Sequence, residues 1–559
     1  MTTTPLPSRT GGQILVDALR IHGTDTVYCV PGESFLAVLD ALYRARDDIR
    51  LIVCRQEGGA THMAEAHGKL TGEPGICVDT RGPGSTNASI AIHTARQDST
   101  PLIVFVGQVA RDTTGREAWQ EIDYRHMFGH IAKWVDQVDS AERLPEYLNR
   151  AFHVATSGRP GPVVLALPED MLTDLAAVAD CPRYRRSGAA PTPEGMAELL
   201  QLLQQAERPL ALLGGGGWTR EACADIAAFA DTFNLPVACA FRRQDLIDNH
   251  DGHYVGESGL GMDPRLAQRI RDADLLLAIG PRLGETTTNG YTLLAVPRPL
   301  QKLVHVHADP EELGHVYHAD VPINATLPAF ARAAKALKPG GPVRWSEWTG
   351  AARADHLDNL KPPGPPADGV DLGQVVVHLR DTLPADSIVT NGAGNYTLWV
   401  QRFYRYRGLR TQLAPTSGTM GYGLPAAIAA KLVHPDRTVV CFAGDGCFLM
   451  TGQELATAVL HGVNVVVIVV NNGIYGSIRM HQERHYPGNV WGTTLANPDF
   501  AALARAYGAH GETVERTADF APAFQRALES GKPAVIELKT NEEVLSPRAT
   551  VSTLRQAKQ

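Results

Sequence analysis

Short runs of Val, Ile, Leu and Ala recur along this 559-residue chain: "PLIVFVG", "PVVLAL", "PLALLGGGG", "DLLLAIG", "KLVHVHAD", "TVVCFAGDG" and "NVVVIVVNN". Each is bounded by Gly, Pro, Asp or Asn and leads into a stretch whose apolar residues return with helical period. Runs that are apolar throughout, rather than alternating, suit strands buried on both faces, the condition of a parallel sheet covered by helices. A chain of this length exceeds what one hydrophobic core supports. Two stretches rich in Pro, Gly and charge interrupt the pattern, "CPRYRRSGAAPTPEG" from Cys181 and "KPPGPPADG" from Lys361, and both read as linkers. The expectation is therefore an α/β protein of three domains, each a mainly parallel sheet covered by helices, over residues 1–180, 190–345 and 365–545. No short-period repeat is present.

Charge and cysteine usage narrow the function classes. The formal net charge is -8 and no Lys/Arg block is present, which excludes a nucleic-acid footprint and favours small-molecule chemistry. The eight cysteines are scattered, with no close-spaced pair for a metal or a redox centre, and several lie inside apolar runs. That pattern predicts buried, reduced thiols and a cytoplasmic setting. The first ten residues, "MTTTPLPSRT", lack an apolar leader segment, and no uninterrupted apolar run approaches bilayer-spanning length.

The segment "GDGCFLMTGQELATAVLHGVNVVVIVVNN" from Gly444 carries the clearest chemistry. "RTVVCFAG" and "NVVVIVV" read as buried strands, and "ELATAVLHG" between them as a helix with a glycine stop. A right-handed crossover makes the strands parallel neighbours. Asp445 and Asn472, 27 positions apart, then both fall beyond carboxyl ends of strands, where α/β sheets bind ligands. One carboxylate, one amide and a main-chain carbonyl are hard oxygen ligands suited to Mg²⁺. Gly444 and Gly446 would let backbone approach a phosphate, with the following helix aiming its positive end at the anion. The plain alternative is a strand-helix hairpin with a surface turn at "GDG".

This segment resembles the diphosphate and Mg²⁺ motif of thiamine-diphosphate enzymes, and nearly the whole chain is similar to their acetolactate synthase and benzaldehyde lyase branch. The resemblance implies thiamine diphosphate and Mg²⁺ as cofactors, with Asp445, Asn472 and the Ile474 carbonyl as metal ligands. In "IVCRQEGGATHMAEAHGKLTG" it gives Glu57 the role of bonding N1' of the aminopyrimidine, so that the 4'-amino group can remove the thiazolium C2 proton. From the residues alone, Glu57 is a strand-end carboxylate raised by desolvation or a helix N-terminal acid. "RGPGSTNA" resembles the family's "GPGATN" loop, placing Pro83 and Asn87 beside the pyrimidine, and Gln120 stands where a family glutamine faces the reacting carbons. Gln120 is otherwise a surface-helix residue. "TSGTMGYGLPAAIAA" matches the segment that bends the cofactor, with Met420 as the wedge and the Gly418 carbonyl receiving the 4'-amino hydrogen; a Met filling a core gap is the alternative. Gly394, Asn395 and Tyr396 of "NGAGNYTLW", with Gly446 and Cys447, border the diphosphate, and Tyr475 and Gly476 follow the metal site. The resemblance also implies that the glutamate of one copy serves the diphosphate domain of another, hence a homodimer or a homotetramer.

Several positions depart from the family pattern. Glu33 replaces a glycine of acetolactate synthases, at the place of a catalytic aspartate in pyruvate decarboxylases, and Ser34 falls where benzaldehyde lyase has a histidine. Glu33 is either a catalytic acid/base or a carboxylate capping the next helix. "GIYGSIRMHQE" lacks the usual "QGMVTQW", so Tyr475, Ser477, Ile478 and His481 reshape the substrate pocket. In "AFRRQDLID", Arg242 and Arg243 are either a clamp for a carboxylate or phosphate or a pair of solvated surface residues. The glycine-rich junctions of the central domain are compatible with FAD, ADP or nothing. The leading expectation is decarboxylation of a 2-oxo acid followed by transfer to a second carbonyl, as in acetolactate synthase. The rivals are simple decarboxylation, cleavage of a 2-hydroxy ketone, a non-catalytic ligand-binding paralogue and a nicotinamide oxidoreductase.

Overall fold

The computed structural model describes residues 6–362, 364, 366 and 368–556. Part of the second linker (residues 363, 365 and 367) and the first five residues of "MTTTPLPSRT" lie outside the described residues. The described chain forms two compact units. One comprises the described residues up to Ser187 together with Leu424–Pro435 and Thr451–Val463; the other comprises Gly188–Gly423, Asp436–Met450 and the described residues from Asn464 onward.

The first unit is built on six parallel strands in the order Arg50–Val53, Thr26–Cys29, Gly75–Asp79, Leu102–Gln108, Pro162–Pro168, Trp134–Gln137. Its central strands are buried along their whole length, as their unbroken apolar runs require. Phe35, Phe105 and Phe152 pack against Ile14, Leu19 and Val163 on one side of the sheet. Helix Glu57–Thr71 starts just after the Arg50–Val53 strand, and helix Pro83–Asp98 just after Gly75–Asp79. Both helices therefore begin near carboxyl ends of neighbouring parts of the sheet.

The second unit contains two further six-stranded parallel sheets. The first runs Tyr254–Ser258, Val237–Ala240, Pro209–Leu213, Leu275–Ile279, Lys302–His307, Val321–Asn324. The other runs Gln412–Leu413, Ile388–Asn391, Val439–Gly444, Val466–Asn471, Ala534–Lys539, His510–Val514. The α/β class with three parallel sheets agrees with the reading of the apolar runs.

The stretch after Asp445 differs from the expected single helix. A one-turn helix, Asp445–Phe448, ends where Phe448 meets Phe500 edge-on with ring centroids 5.6 Å apart. A 3-10 turn, Gly452–Glu454, and helix Leu455–Leu460 follow, and these pack within the first unit. The glycine stop is present at Gly462, whose φ of 63° is left-handed. All eight cysteines are unbridged and six are buried. Burial pushes the Cys29 and Cys441 thiols up to about 12, which makes them unreactive packing residues. No helix of the described residues is long and apolar enough to cross a membrane.

Candidate cofactor site

Strands Val439–Gly444 and Val466–Asn471 are parallel neighbours, with Gly444 opposite Val470. Asp445 and Asn472 consequently leave the sheet side by side at its carboxyl edge. Asp445 is 3% exposed. Its Oδ1 accepts the Gly446 N–H at 2.9 Å, and its Oδ2 accepts the Gly473 N–H at 2.9 Å and the Asn497 amide at 2.8 Å. Burial raises this carboxyl above its ordinary value, opposed by those bonds. Oδ1, with a single donor, retains a lone pair for a further partner. Asn472 Oδ1 accepts the Ile474 N–H at 3.2 Å. The two amides of "NN" thus divide their tasks: the Asn471 amide group is spent inside the sheet on Glu537 at 2.6 Å, whereas Asn472 stands at the cavity.

Asn497 is a residue that motif reasoning missed. Its amide bridges Asp445 Oδ2 and, at 2.9 Å, Asn471 Oδ1, orienting both strand ends from a loop that arrives from elsewhere in the chain. Only its place between a turn and a helix start, in "LANPDF", sets it apart in the sequence.

The glycines serve aromatic packing. A Cβ at Gly446 would lie 2.6 Å from the Tyr475 ring, and one at Gly444 3.1 Å from the Tyr396 ring. Tyr396 Oη in turn accepts the Gly392 N–H at 3.0 Å and donates to Cys447 Sγ at 3.5 Å; that sulfur also accepts the Gly421 N–H at 3.2 Å. Asn395 donates to the Gly476 carbonyl at 3.1 Å and accepts from Ser477 Oγ at 2.8 Å. These ties bring four sequence-distant loops around one cavity of about 760 Å³. Its wall includes Gly394, Asn395, Tyr396, Gly418, Met420, Gly444, Asp445, Gly446, Cys447, Asn472, Ile474, Tyr475, Gly476, Ser477, Ile478, His481 and Arg242. Every candidate named in the C-terminal third is therefore at this one place. Gly418 has φ of 70° and open space where a Cβ would stand, so its backbone borders the cavity directly.

Arg242 corrects one alternative. It is not a solvated surface residue: it is 4% exposed, with φ of 59°, and its guanidinium donates to the Pro415 carbonyl at 2.5 Å and to Thr397 Oγ1 at 3.4 Å. Its backbone N–H bonds the Glu257 carboxylate. Burial pushes the Glu257 carboxyl up to about 8, with the Arg242 N–H and charge opposing. Arg243 is half-buried, its Nε 3.9 Å from Asp245.

The N-terminal candidates gather in the first unit. Glu57 is the first residue of its helix, capped by Gln56, whose side chain accepts the Gly59 N–H at 3.0 Å. Asn87 donates to Glu57 Oε2 at 2.9 Å, and a Cβ at Gly84 would come within 3.1 Å of Glu57 Oε1. Pro83 opens the same helix as Asn87. Gln120 lies in a turn with φ of 67°, not on a surface helix, and a Cβ at Gly82 would be 2.7 Å from Gln120 Cβ. Glu57, Pro83, Asn87 and Gln120 thus share one corner. Behind them Glu454, fully buried, accepts the Arg55 and Gln56 N–H groups at 3.2 and 3.0 Å and the Thr457 hydroxyl at 2.6 Å, fixing the turn that presents Glu57. Glu33 is exposed in the turn Glu33–Phe35 and makes no side-chain cap. Ser34 is buried, its hydroxyl 2.9 Å from Thr80 Oγ1.

Comparison with known proteins adds an independent line. Residues 9–127 match the thiamine pyrophosphate enzyme N-terminal TPP binding domain, 196–334 the central domain and 392–538 the C-terminal TPP binding domain. The chain is 34% identical over 542 residues to the acetolactate synthase large subunit of Parasynechococcus marenigrum, covering 94% of this chain and 87% of that one. It is 32% identical over 556 residues to the acetolactate synthase large subunit of Corynebacterium glutamicum, covering 96% and 87%. Against the acetolactate synthase isozyme 2 large subunit of Escherichia coli the identity is 31% over 540 residues, covering 95% and 96%.

Proposed function

The chain belongs to the thiamine pyrophosphate enzymes and is a thiamine-diphosphate-dependent carboligase of the acetolactate synthase type; from that premise we propose that it decarboxylates a 2-oxo acid and joins the remaining fragment to a second carbonyl, with Mg²⁺ as the anchoring ion. Thiamine diphosphate supplies, when bound, the electron sink that stabilises the carbanion equivalent. What supports the assignment is the convergence of Asp445, Asn472, Ile474 and the 394–396, 418–420 and 475–477 segments on one cavity.

The donor set fits the ion. Asp445 Oδ1, the Asn472 amide oxygen and the Ile474 carbonyl are all oxygen, the preference of Mg²⁺, and a cation there offsets the cost of burying the carboxylate. The backbone N–H of Cys447, with Gly446, Asn395, Tyr396 and Gly476, would border the diphosphate. Gly444 and Gly394 make room for Tyr396, while Tyr475 packs against Gly446. Met420 with the Gly418 carbonyl would hold the two rings at an angle. Glu57 would hold the proton at N1' of a cofactor bound to a second copy, with Asn87 orienting the carboxylate and Pro83 bordering the ring. That makes a homodimer the minimal active unit, or a tetramer built from two. Gln120 and Glu33 would face the reacting carbons, and Ser477, Ile478, His481 and Arg242 would shape the acceptor pocket. Domain extents of 1–180, 190–345 and 365–545 accompany this reading.

For the glycine-rich strand-to-loop junctions of the central domain, FAD, ADP or no occupant are the readings carried forward. A visible spectrum of the purified protein decides for or against FAD. The unbridged cysteines support a cytoplasmic location, checked by cell fractionation. The decisive experiment is Glu57→Gln: Mg²⁺-dependent cofactor binding is expected to persist while turnover falls about 100-fold or more. Unchanged turnover would refute the assignment. Incubation with pyruvate, analysed for acetolactate and acetaldehyde, and with benzoin, separates the synthase from a decarboxylase or a 2-hydroxy ketone lyase.

A further inference from the structure

The charge on the wall of the large cavity is lopsided. Among the described residues that line it stand Arg242, Arg402, Arg484 and Arg548, against Asp445 as the one acid, in a chain whose formal charge is -8. Asp445 belongs to the metal end, so the cations answer some other demand.

Arg402 and Arg548 form a pair. Arg402 Nε donates to the Asn359 carbonyl at 2.7 Å and Arg548 donates to the Asn359 side-chain oxygen at 2.6 Å, so a single residue holds both heads close together. Arg548 also donates to the carbonyls of Gly261 and Met262 at 2.9 and 3.1 Å. All of these acceptors are neutral, and among the described residues neither guanidinium makes an ion pair. The acids that face the pair are committed elsewhere: Asp263 to Arg265 at 2.8 Å, and Asp358 to Arg265 at 3.0 Å and Lys361 at 2.9 Å. The remaining hydrogen bonds of Arg402, to the Pro547 and Lys361 carbonyls, are 3.5 Å long, at the limit of hydrogen bonding, and leave donors for an incoming oxygen. Burial, and next the neighbouring guanidinium, pull the Arg402 pKa below its ordinary value; burial does the same to Arg548. Two adjacent cations set against neutral groups are costly until an anion joins them, and a planar fork is the geometry that grips carboxylate or phosphate.

Arg402 is set back along its helix from the metal end. Helix Thr397–Phe403 starts beside Asn395 at that end, and Arg402 lies five residues further, about 7–8 Å along the axis. We propose that Arg402 and Arg548 form an anion subsite for a carboxylate or phosphate of the second substrate, the carbonyl acceptor, carried at a distance from its reacting carbon. This rests on the carboligase reading.

The test uses full-length protein. Inorganic phosphate is titrated calorimetrically with and without saturating thiamine diphosphate and Mg²⁺. Saturable binding in both states is expected, weakened about tenfold or more in Arg402→Gln and in Arg548→Gln, with cofactor affinity unchanged. Arg402→Lys, which keeps the charge without the fork, should recover part of the loss. Absence of saturable binding, equal binding by wild type and both variants, or competition between phosphate and cofactor would each overturn the subsite. In turnover, KM for glyceraldehyde 3-phosphate as acceptor should rise about tenfold in Arg402→Gln while that for glyceraldehyde stays level. Equal changes for both overturn the assignment to the second substrate. If no acceptor turns over at all, the carboligase reading fails while the phosphate titration still judges the subsite.

Discussion

Glu257 offers a quantitative check on how the cavity wall is held. It sits in strand Tyr254–Ser258 and accepts the backbone N–H of Arg242, a residue in a left-handed conformation that side-chain-bearing residues rarely adopt. Its carboxyl moves from an ordinary 4.5 to about 8, chiefly because burial disfavours the charge. Below pH 4.5 both folded and unfolded chains carry the proton. Between 4.5 and 8 the unfolded chain ionises while the folded one stays protonated, so stability falls as pH rises; above 8 the loss is complete. At 1.36 kcal/mol per unit the full loss is roughly 5 kcal/mol, and about 2–3 kcal/mol once the solvent-open part of the side chain is allowed for. Glu257→Gln keeps an acceptor for the Arg242 N–H and removes the ionisation. Urea unfolding of wild type and variant, each at about pH 5 and about pH 9, isolates this group from all others that titrate. The variant should gain about 2–3 kcal/mol relative to wild type on going to the higher pH. A wild-type-to-variant difference that is the same at both pH values refutes the reasoning.

Three further outcomes are expected. Asn497→Ala removes the amide that orients Asp445 and Asn471, and should weaken Mg²⁺-supported cofactor binding about tenfold with little change in fold, as read by calorimetry and circular dichroism. Gly446→Ala must push the Tyr475 ring by several tenths of an ångström; its binding loss of about 1–3 kcal/mol should be relieved in the Gly446→Ala, Tyr475→Ala double variant. Glu454→Gln turns one of its oxygens into a donor beside the Arg55 and Gln56 amides, and should cost about 2 kcal/mol, seen as faster hydrogen exchange at the start of the Glu57 helix and lower turnover with cofactor affinity retained.

Much of this protein is written locally. Unbroken apolar runs of five to seven residues become buried parallel strands because such runs have no polar side to offer solvent. Asp445 and Asn472 follow two of those runs, so parallel pairing alone brings them to one sheet edge, and Glu57 is recognisable because a strand ends and a helix begins around it. The rest depends on groups that meet only when distant segments fold together. Asn497 reaches Asp445 across 52 positions, Glu454 reaches Arg55 across 399, and Asn359 gathers Arg402 and Arg548 from two distant parts of the chain. The burial of Arg242 belongs here too, since a charged pair in a loop looks solvated until the Pro415 carbonyl and the Thr397 hydroxyl meet it. Periodicity reports which way a side chain faces along its own element; which partner completes its hydrogen bonds is a property of the tertiary structure, because desolvation and bonding are decided by whatever else occupies the same volume.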